Sequence, residues 1–310
     1  MLCLLTGCRH LHEAQKTSAL YDDCPPMRQA MLRRNEFIYL SKPELDPHKP
    51  VLLLLHGATD DPGEMLGIFR EYQDTHNVVL FAFNYHQSIK RVGADFDAQM
   101  KTLRDRMREL KLASLTVVDY SYSASVFRQA VLFANDPELF DDVSLIQLVP
   151  TAAGSYFAWI MRWPVSDWII SAVSAPSAVE NPYGRISKRL WGDAANQKFY
   201  AIIPRKRVTS ILIEGDSNSV ERLRSKEIHR RYKNGVGGNV VVIPKDRGAT
   251  HEYFPSEPFA LGYLRKVIEE NAATQILPAS SLAKTNLPKV NVGQAELGSR
   301  PKLSEGSSVQ

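Results

Sequence analysis

Short apolar runs along the chain are separated by longer segments in which apolar residues recur at helical spacing. Seven runs rich in Val, Ile, Leu and Phe predict buried strands. The segment 96–112 places Met100, Leu103, Met107 and Leu110 on one helical face, and 125–136 predicts a second helix. This alternation predicts an α/β fold with a doubly wound, mostly parallel sheet covered on both faces. The predicted strands are residues 36–41, 50–57, 76–85, 114–120, 143–149, 208–215 and 238–244.

Two regions depart from this alternation. Between about 155 and 206 the strand-helix pattern lapses, and all four tryptophans of the chain lie there. A segment so rich in indole is expected to cover something apolar. From 276 to 310 the chain is rich in Ser, Pro, Gly and Lys, with too few apolar residues to offset the entropy lost on ordering, so this tail is predicted to be disordered. The tryptophans are Trp159, Trp163, Trp168 and Trp191.

Composition narrows the class of protein. A chain of 310 residues with 44% hydrophobic and 23% charged residues can bury one large core, so one main domain is expected. Lys and Arg are interspersed with Asp and Glu and the net charge is only +4, so no nucleic-acid partner is expected. No stretch reaches the roughly 18 apolar residues that a membrane-spanning helix requires.

The three cysteines, Cys3, Cys8 and Cys24, all precede residue 25. They cannot staple the body of the fold and do not have the spacing of metal ligands. The stretch Leu5-Thr6-Gly7-Cys8 resembles the lipobox of a bacterial lipoprotein, which implies lipidation of Cys8 and a lipid-anchored place in the bacterial cell envelope. Too few residues precede Cys8 for a complete export signal, so residues 1–8 read as a truncated signal followed by an N-terminal segment at 9–35. Without lipidation, the expected location is the cytoplasm.

A serine-rich corner, Asp119-Tyr120-Ser121-Tyr122-Ser123-Ala124-Ser125, joins the strand at 114–120 to the following helix. It resembles the nucleophile elbow of lipases and esterases with the α/β-hydrolase fold, in which a strained turn exposes a catalytic serine. The resemblance implies that Ser121 is the nucleophile and that Ser123 and Ala124 are small enough for close strand-to-helix packing. Asp119 stands where the usual motif has glycine.

The strand at 50–57 resembles the oxyanion-hole strand of the same family, since it ends in His56-Gly57. The resemblance implies that the backbone N–H groups of Ala58 and Tyr122 hold the oxyanion of the reaction intermediate.

The remaining members of a triad follow in the chain order of this family: nucleophile, acid, histidine. "GATHEYF" resembles the loop that carries the catalytic histidine, here His251, and "SILIEGDSNSVE" resembles the strand and loop that carry the acid. Asp216 is the preferred acid, and Asp246 and Glu221 remain as alternatives.

The block "EGDSNS" also looks like the G-D-S motif of another hydrolase family, the SGNH (GDSL) hydrolases, with Ser217 as its nucleophile. That family places the motif near the start of its domain, whereas here a full set of predicted strands precedes it. Gly248 also stands three positions before His251, where that family has Asp. We therefore reject this reading.

The resemblance implies an α/β-hydrolase domain at 36–275 with a helical lid insertion at about 155–206. Its implied chemistry is cleavage of a carboxylic ester through an acyl-enzyme intermediate, with no cofactor and no metal required. The expected substrate is an ester or lipid-like small molecule, met at a membrane surface if Cys8 is lipidated. The missing elbow glycines leave an alternative, a catalytically degenerate hydrolase fold that acts as a binding or assembly protein.

Overall fold

A single seven-stranded sheet forms the centre of the computed structural model, which describes residues 35–57, 62–84, 87–152, 184–214, 226–244, 255 and 258–276. The strand order is β1-β3-β2-β4-β5-β6-β7. All neighbouring strands run parallel except β1, which pairs antiparallel with β3 at one edge. The predicted α/β fold and all seven predicted strands are confirmed. The strands are β1 Glu36–Tyr39, β2 Val51–Leu55, β3 Asn77–Ala82, β4 Leu115–Tyr120, β5 Ser144–Leu148, β6 Val208–Ile213 and β7 Asn239–Ile243.

The order of the strands creates a crevice at the centre of the sheet. From β2 the chain crosses to β3 on one side, and then to β4 on the other side of β2. Helices that leave two adjacent strands in opposite directions open a gap above the carboxyl ends of those strands, where open α/β sheets bind their ligands. The carboxyl ends of β2 and β4 therefore mark the place to look for a site.

Helices cover both faces of the sheet and enclose two apolar cores. Helices α1 and α7 pack on one face, where they meet residues such as Leu54 and Ile146. Helices α2 to α6 pack on the other face against residues such as Leu53 and Val117. The helices are α1 Leu66–Tyr72, α2 Ile89–Glu109, α3 Ser123–Leu132, α4 Arg185–Trp191, α5 Asp193–Ile202, α6 Lys226–Gly235 and α7 Pro258–Ile276, with 3-10 turns at Pro62–Met65, Pro137–Phe140 and Arg205–Arg207.

The two predicted helices are present, but both begin earlier than their apolar pattern indicates. Helix α2 begins at Ile89 because Ser88 caps it, its hydroxyl accepting a hydrogen bond from the Arg91 N–H at 3.4 Å. Helix α3 begins at Ser123. None of the helices described is long and apolar enough to cross a membrane.

Several predictions fall partly or wholly outside the described residues. They are the segments at 1–8 and 9–35, with Cys8, most of the predicted lid at 155–206, and the tail from 277 onward. Within the described end of the lid region, α4 and α5 pack against α3, and Trp191 is fully buried there. The lid itself stays a prediction.

Candidate functional site

Ser121 lies at a sharp corner between β4 and α3, directly above the carboxyl edge of the sheet. Its φ angle is 56°, in the left-handed region that a serine rarely adopts. The backbone holds this conformation on both sides. The Ser121 N–H donates to the Leu148 carbonyl at 2.9 Å, and the Ser121 carbonyl accepts from the N–H groups of Ala124 and Thr151 at 3.3 and 3.4 Å. A strained serine between a buried strand and a helix is the geometry of a nucleophile elbow.

The other two serines of the corner have different structural roles. The Ser123 hydroxyl accepts a hydrogen bond from the Tyr120 N–H at 2.7 Å and lies 3.0 Å from the Leu55 carbonyl, to which it donates. It thus joins the carboxyl ends of β4 and β2. The Ser125 hydroxyl accepts from the Trp191 indole N–H at 3.1 Å and thereby joins α3 to α4. Both serines thus make buried hydrogen bonds that the sequence does not reveal.

His56 follows the last residue of β2, and its protonation can be deduced from its partners. The Phe83 backbone N–H lies 3.1 Å from Nε2 of His56, and an N–H can only donate, so Nε2 is the unprotonated nitrogen. The ring proton is therefore on Nδ1, which donates to the Gly57 carbonyl at 3.1 Å. The ring is 1% exposed and stacks on Phe83 at 4.0 Å. His56 is thus a neutral structural histidine that orients the next peptide group.

Gly57 is held on its other side by a carboxylate. The Gly57 N–H donates to Oε2 of Glu64 at 2.8 Å. A Cβ at position 57 would meet this same oxygen and the Tyr120 ring, each at 2.9 Å, which is closer than a real Cβ contact allows. Only glycine fits here. His56 and Glu64 together fix the segment from which the predicted oxyanion donor, the N–H of Ala58, departs.

Asp119, two residues before Ser121, is a fully buried carboxyl group. Neither of its oxygens has a hydrogen-bond partner, and Nε2 of Gln147, its register partner on β5, also lacks one. Burial raises the pKa of Asp119 well above its ordinary value. The nearby Gln147 amide and the Arg128 guanidinium oppose the rise but do not cancel it. Burial therefore favours the protonated form of Asp119.

Arg128 on α3 is a fully buried cation that contacts α4 and α5, at the described end of the predicted lid region. Its guanidinium lies 4.1 Å from the ring centres of both Trp191 and Phe199. Its Nε donates to the Leu190 carbonyl at 3.0 Å, and Nη2 donates to the Asn196 side chain. Burial lowers the pKa of Arg128 to about 10, so the group is still charged at pH 7. Arg128 thus locks α4 and α5 onto the helix that follows Ser121.

Ser121, Gly57 and Glu64 lie at one edge of the sheet, at the carboxyl ends of β2 and β4 where the strand order places the crevice. Tyr122 follows Ser121 in helical conformation with its ring 1% exposed. Within the described parts of the chain, no group of three or more His, Cys, Asp and Glu side chains could hold a metal ion. The other predicted site residues, with the alternative acids, lie outside the described residues, so their roles stay predictions: Ala58, Asp216, Glu221, Asp246 and His251.

Sequence reasoning did not find Glu64, Asn196 or the role of Ser125. Glu64 lies in a 3-10 turn seven residues after Gly57, and nothing in the sequence distinguishes it from a surface acid. Ser125 and Trp191 are 66 residues apart and meet only because α4 returns to α3.

The sequence matches no protein-family model and none of the curated proteins with which it was compared. Solved structures similar to it include a Bacillus licheniformis lipase in mature form, with 10% identity, 76% of this chain and 98% of that chain covered, and a TM-score of 0.46. Lipase B of Aspergillus fumigatus is 14% identical over 71% of this chain and 53% of that chain, with a TM-score of 0.49. A lipase-esterase related protein of Clostridium acetobutylicum is 11% identical over 76% and 98%, with a TM-score of 0.42.

The strand order assigns the fold independently of these similarities. One antiparallel edge strand is followed by six parallel strands, and a crossover around β2 places the elbow after β4 at the centre of the sheet. A serine in left-handed conformation lies at that elbow. The chain therefore has the α/β-hydrolase fold.

Proposed function

We propose that the chain is a serine hydrolase that cleaves a carboxylic ester through an acyl-enzyme intermediate on Ser121. The observation that carries this proposal is the left-handed φ of 56° at Ser121, between a buried strand and a helix. Strain of this kind persists only where the surrounding structure enforces it, and it concentrates at active sites. The hydrogen bond that the Ser121 N–H donates to Leu148, and those that its carbonyl accepts from Ala124 and Thr151, supply that enforcement.

The proposed reaction has two stages. The Ser121 hydroxyl attacks the ester carbonyl while His251 takes its proton, and His251 then gives that proton to the departing alcohol. Water, activated by the same imidazole, releases the acid from Ser121. Asp216 orients the imidazole and stabilises its protonated form. The N–H groups of Ala58 and Tyr122 hold the oxyanion in both stages.

The hydrogen bonds at the carboxyl end of β2 support the proposed oxyanion role of the segment that follows. A backbone donor stabilises an oxyanion well only if it is preorganised. The Gly57 carbonyl accepts a hydrogen bond from His56, and the Gly57 N–H donates one to Glu64. These two bonds restrict the rotation of both peptide groups that flank Gly57. The segment that leads to Ala58 thus begins from a fixed point.

A fluorophosphonate probe tests the proposal directly, because it phosphonylates a serine hydroxyl only when a neighbouring base activates it. Full-length protein is expected to be labelled, the label to map to Ser121, and Ser121→Ala to remain unlabelled while folded. A folded wild-type chain without labelling would overturn the proposal and favour the binding or assembly protein. Labelling at Ser217 would instead favour the GDSL-type hydrolase reading.

A further inference from the structure

Positive charge is concentrated at the described end of the predicted lid region and in the segment that contains α6. Residues 184–207 and 226–238 together contain eleven Lys and Arg but only two Asp and Glu. The described residues between 35 and 152 contain eleven Lys and Arg against fifteen Asp and Glu. The small net charge of +4 for the whole chain thus conceals a strong asymmetry between two parts of one domain. Such asymmetry produces a directed surface potential.

Exposed cations from three of these elements form one surface, here named the basic face. On α6, Lys226, Arg230 and Lys233 are spaced by four and three residues and are exposed, while Ile228 and Arg231 are buried on the inner side. The basic face consists of Arg185 and Lys188 on α4, Arg205 and Lys206 on the 3-10 turn, and Lys226, Arg230 and Lys233 on α6.

A direct contact joins these elements. Nη2 of Arg205 donates to the Asn234 carbonyl at the end of α6 at 2.7 Å. Helix α6 also packs against α4 and α5. The cations of the three elements therefore lie on one flank of the sheet.

Acidic side chains neutralise little of the basic face. The two acids in its segments are Asp193, which pairs with Arg230 at 2.9 Å, and Glu227, which lies 3.9 Å from the buried Arg231. The other six cations of the basic face form no ion pair in the described part of the chain. Their charge is therefore available to an anionic partner.

An exposed aromatic ring lies at one border of this region. Phe133, just after α3, is 48% exposed. The Arg189 guanidinium lies 4.5 Å and the Lys198 ammonium 5.6 Å from its ring centre. Both cations come from α4 and α5, the helices beside α6. An exposed aromatic ring flanked by cations suits the boundary between water and lipid, where the ring is buried and the charges meet headgroups.

The other border carries exposed aliphatic residues. Val240 and Val242 on the edge strand β7 are 45% and 51% exposed. Val240 is the register partner of Ser210, whose side chain points to the face covered by α6. Val240 also follows shortly after Gly238, whose N–H donates to the Arg205 carbonyl at 3.2 Å. The three large apolar side chains that the described structure exposes thus all flank the basic elements.

We propose that the basic face docks on an anionic phospholipid bilayer. A bilayer surface rewards both exposed cations and the apolar side chains beside them. A nucleic-acid strand would use the cations, but it gains little from Val240 and Val242, which cannot stack on bases. The basic face lies on the flank of the sheet, and Arg205 and Lys206 lie at the edge opposite Ser121, just before β6 begins. Docking there leaves the crevice accessible and does not depend on the proposed hydrolysis.

Co-sedimentation of full-length protein with vesicles tests this proposal. Binding is expected to vesicles that contain phosphatidylglycerol and not to pure phosphatidylcholine vesicles, and high salt should weaken it, because salt screens headgroup charge. Equal binding to both vesicle types, or no binding to either at low salt, would overturn the proposal. Tighter binding to single-stranded oligonucleotide than to the anionic vesicles at the same salt would also overturn it and indicate a nucleic-acid surface.

Matched charge reversals locate the contact. The triple variant Lys206→Glu, Lys226→Glu, Lys233→Glu is expected to lower the vesicle partition coefficient about tenfold or more. The control Lys42→Glu, Lys90→Glu, Lys101→Glu changes the net charge by the same amount at exposed positions elsewhere and should bind much more strongly than the first variant. Equal losses in the two variants would contradict a localised face.

A neutral variant separates lipid from other polyanions. Phe133→Ser leaves the charge unchanged and should lower vesicle binding several-fold while leaving heparin binding unaltered. Unchanged vesicle binding would show that Phe133 does not contact the bilayer and would contradict the proposed orientation, in which its ring faces the lipid. All of the substituted side chains are exposed, so a circular-dichroism melting curve close to that of the wild type is expected for each variant.

Discussion

The backbone N–H of Gly57 donates to the carboxylate of Glu64, seven residues later in the chain, at 2.8 Å. This bond closes the loop in which the predicted oxyanion donor lies. Because the Gly57 carbonyl in turn accepts from Nδ1 of His56, neither of the two peptide groups that flank Gly57 can rotate without breaking a hydrogen bond.

Removal of the Glu64 carboxylate is expected to slow the chemical step rather than substrate binding. Glu64→Ala frees the Gly57 N–H and should lower kcat about ten- to a hundredfold, since a misplaced oxyanion donor loses most of its effect. KM for short p-nitrophenyl esters should change little. Glu64→Gln keeps an acceptor oxygen in place and should recover most of the rate. Equal losses in the two variants would point to a role for the negative charge itself.

Two serines of the elbow should respond to substitution in opposite ways. Ser121→Ala is expected to abolish hydrolysis of p-nitrophenyl esters and to leave thermal stability unchanged or slightly altered. Ser123→Ala should keep most of the rate but destabilise the fold by about 1–3 kcal/mol, because it removes the buried hydroxyl that accepts from the Tyr120 N–H and donates to the Leu55 carbonyl. Steady-state kinetics and urea unfolding measure the two effects. A fully active Ser121→Ala protein would remove Ser121 from the mechanism.

The acid of the triad can be assigned by comparing two carboxylates. If Asp216 orients His251, Asp216→Asn should lower kcat by several orders of magnitude, roughly ten-thousand-fold as in the serine-protease example. Asp246→Asn serves as its control and should have a mild effect. The reverse outcome would transfer the role to Asp246, and two mild variants would leave Glu221 to be tested.

Asp119 should make stability depend on pH. Its folded pKa is raised, so it stabilises the folded state fully below the unfolded pKa of about 3.9, and this contribution is lost as pH rises toward the folded pKa. Asp119→Asn removes the titrating group with little change of shape. The variant should gain stability relative to wild type as pH rises above about 4, by up to about 1.4 kcal/mol per pH unit. Parallel urea-unfolding curves for the two proteins across this range would contradict a raised pKa.

The strands were predictable because they are short segments rich in Val, Ile, Leu and Phe; β2 is an uninterrupted apolar run, as expected of a parallel strand buried on both faces. Helix α6 was not predictable, because its sequence KEIHRRYKNG has few apolar residues. Its buried side includes Arg231, which a hydropathy pattern does not distinguish from the exposed cations. The sequence places helices α4 and α5 in an insertion. Their attachment to α3 depends on the buried Arg128, a residue that a hydropathy pattern assigns to the surface.

The candidate site was predictable only where local sequence dictates local geometry. The elbow at Ser121 is such a place, because a strand, a small-residue turn and a helix are contiguous in the chain. The bond between Gly57 and Glu64 is different, because its carboxylate could equally have pointed to solvent. The basic face likewise depends on the fold, which brings together two separated segments, 184–207 and 226–238. In the linear sequence the acids of the first half balance these cations, so the net charge does not reveal the basic face.

Ser121 and Val149 are strained neighbours: each has a positive φ, 56° and 40°, and each directly follows one of the paired strands β4 and β5. A residue held in such a conformation costs of order 1–3 kcal/mol, and glycine would adopt it without that cost. In a lineage that no longer used the hydroxyl, a substitution of Ser121 by glycine would be favoured because it removes this strain. A serine at position 121 therefore carries a cost in stability that glycine would avoid.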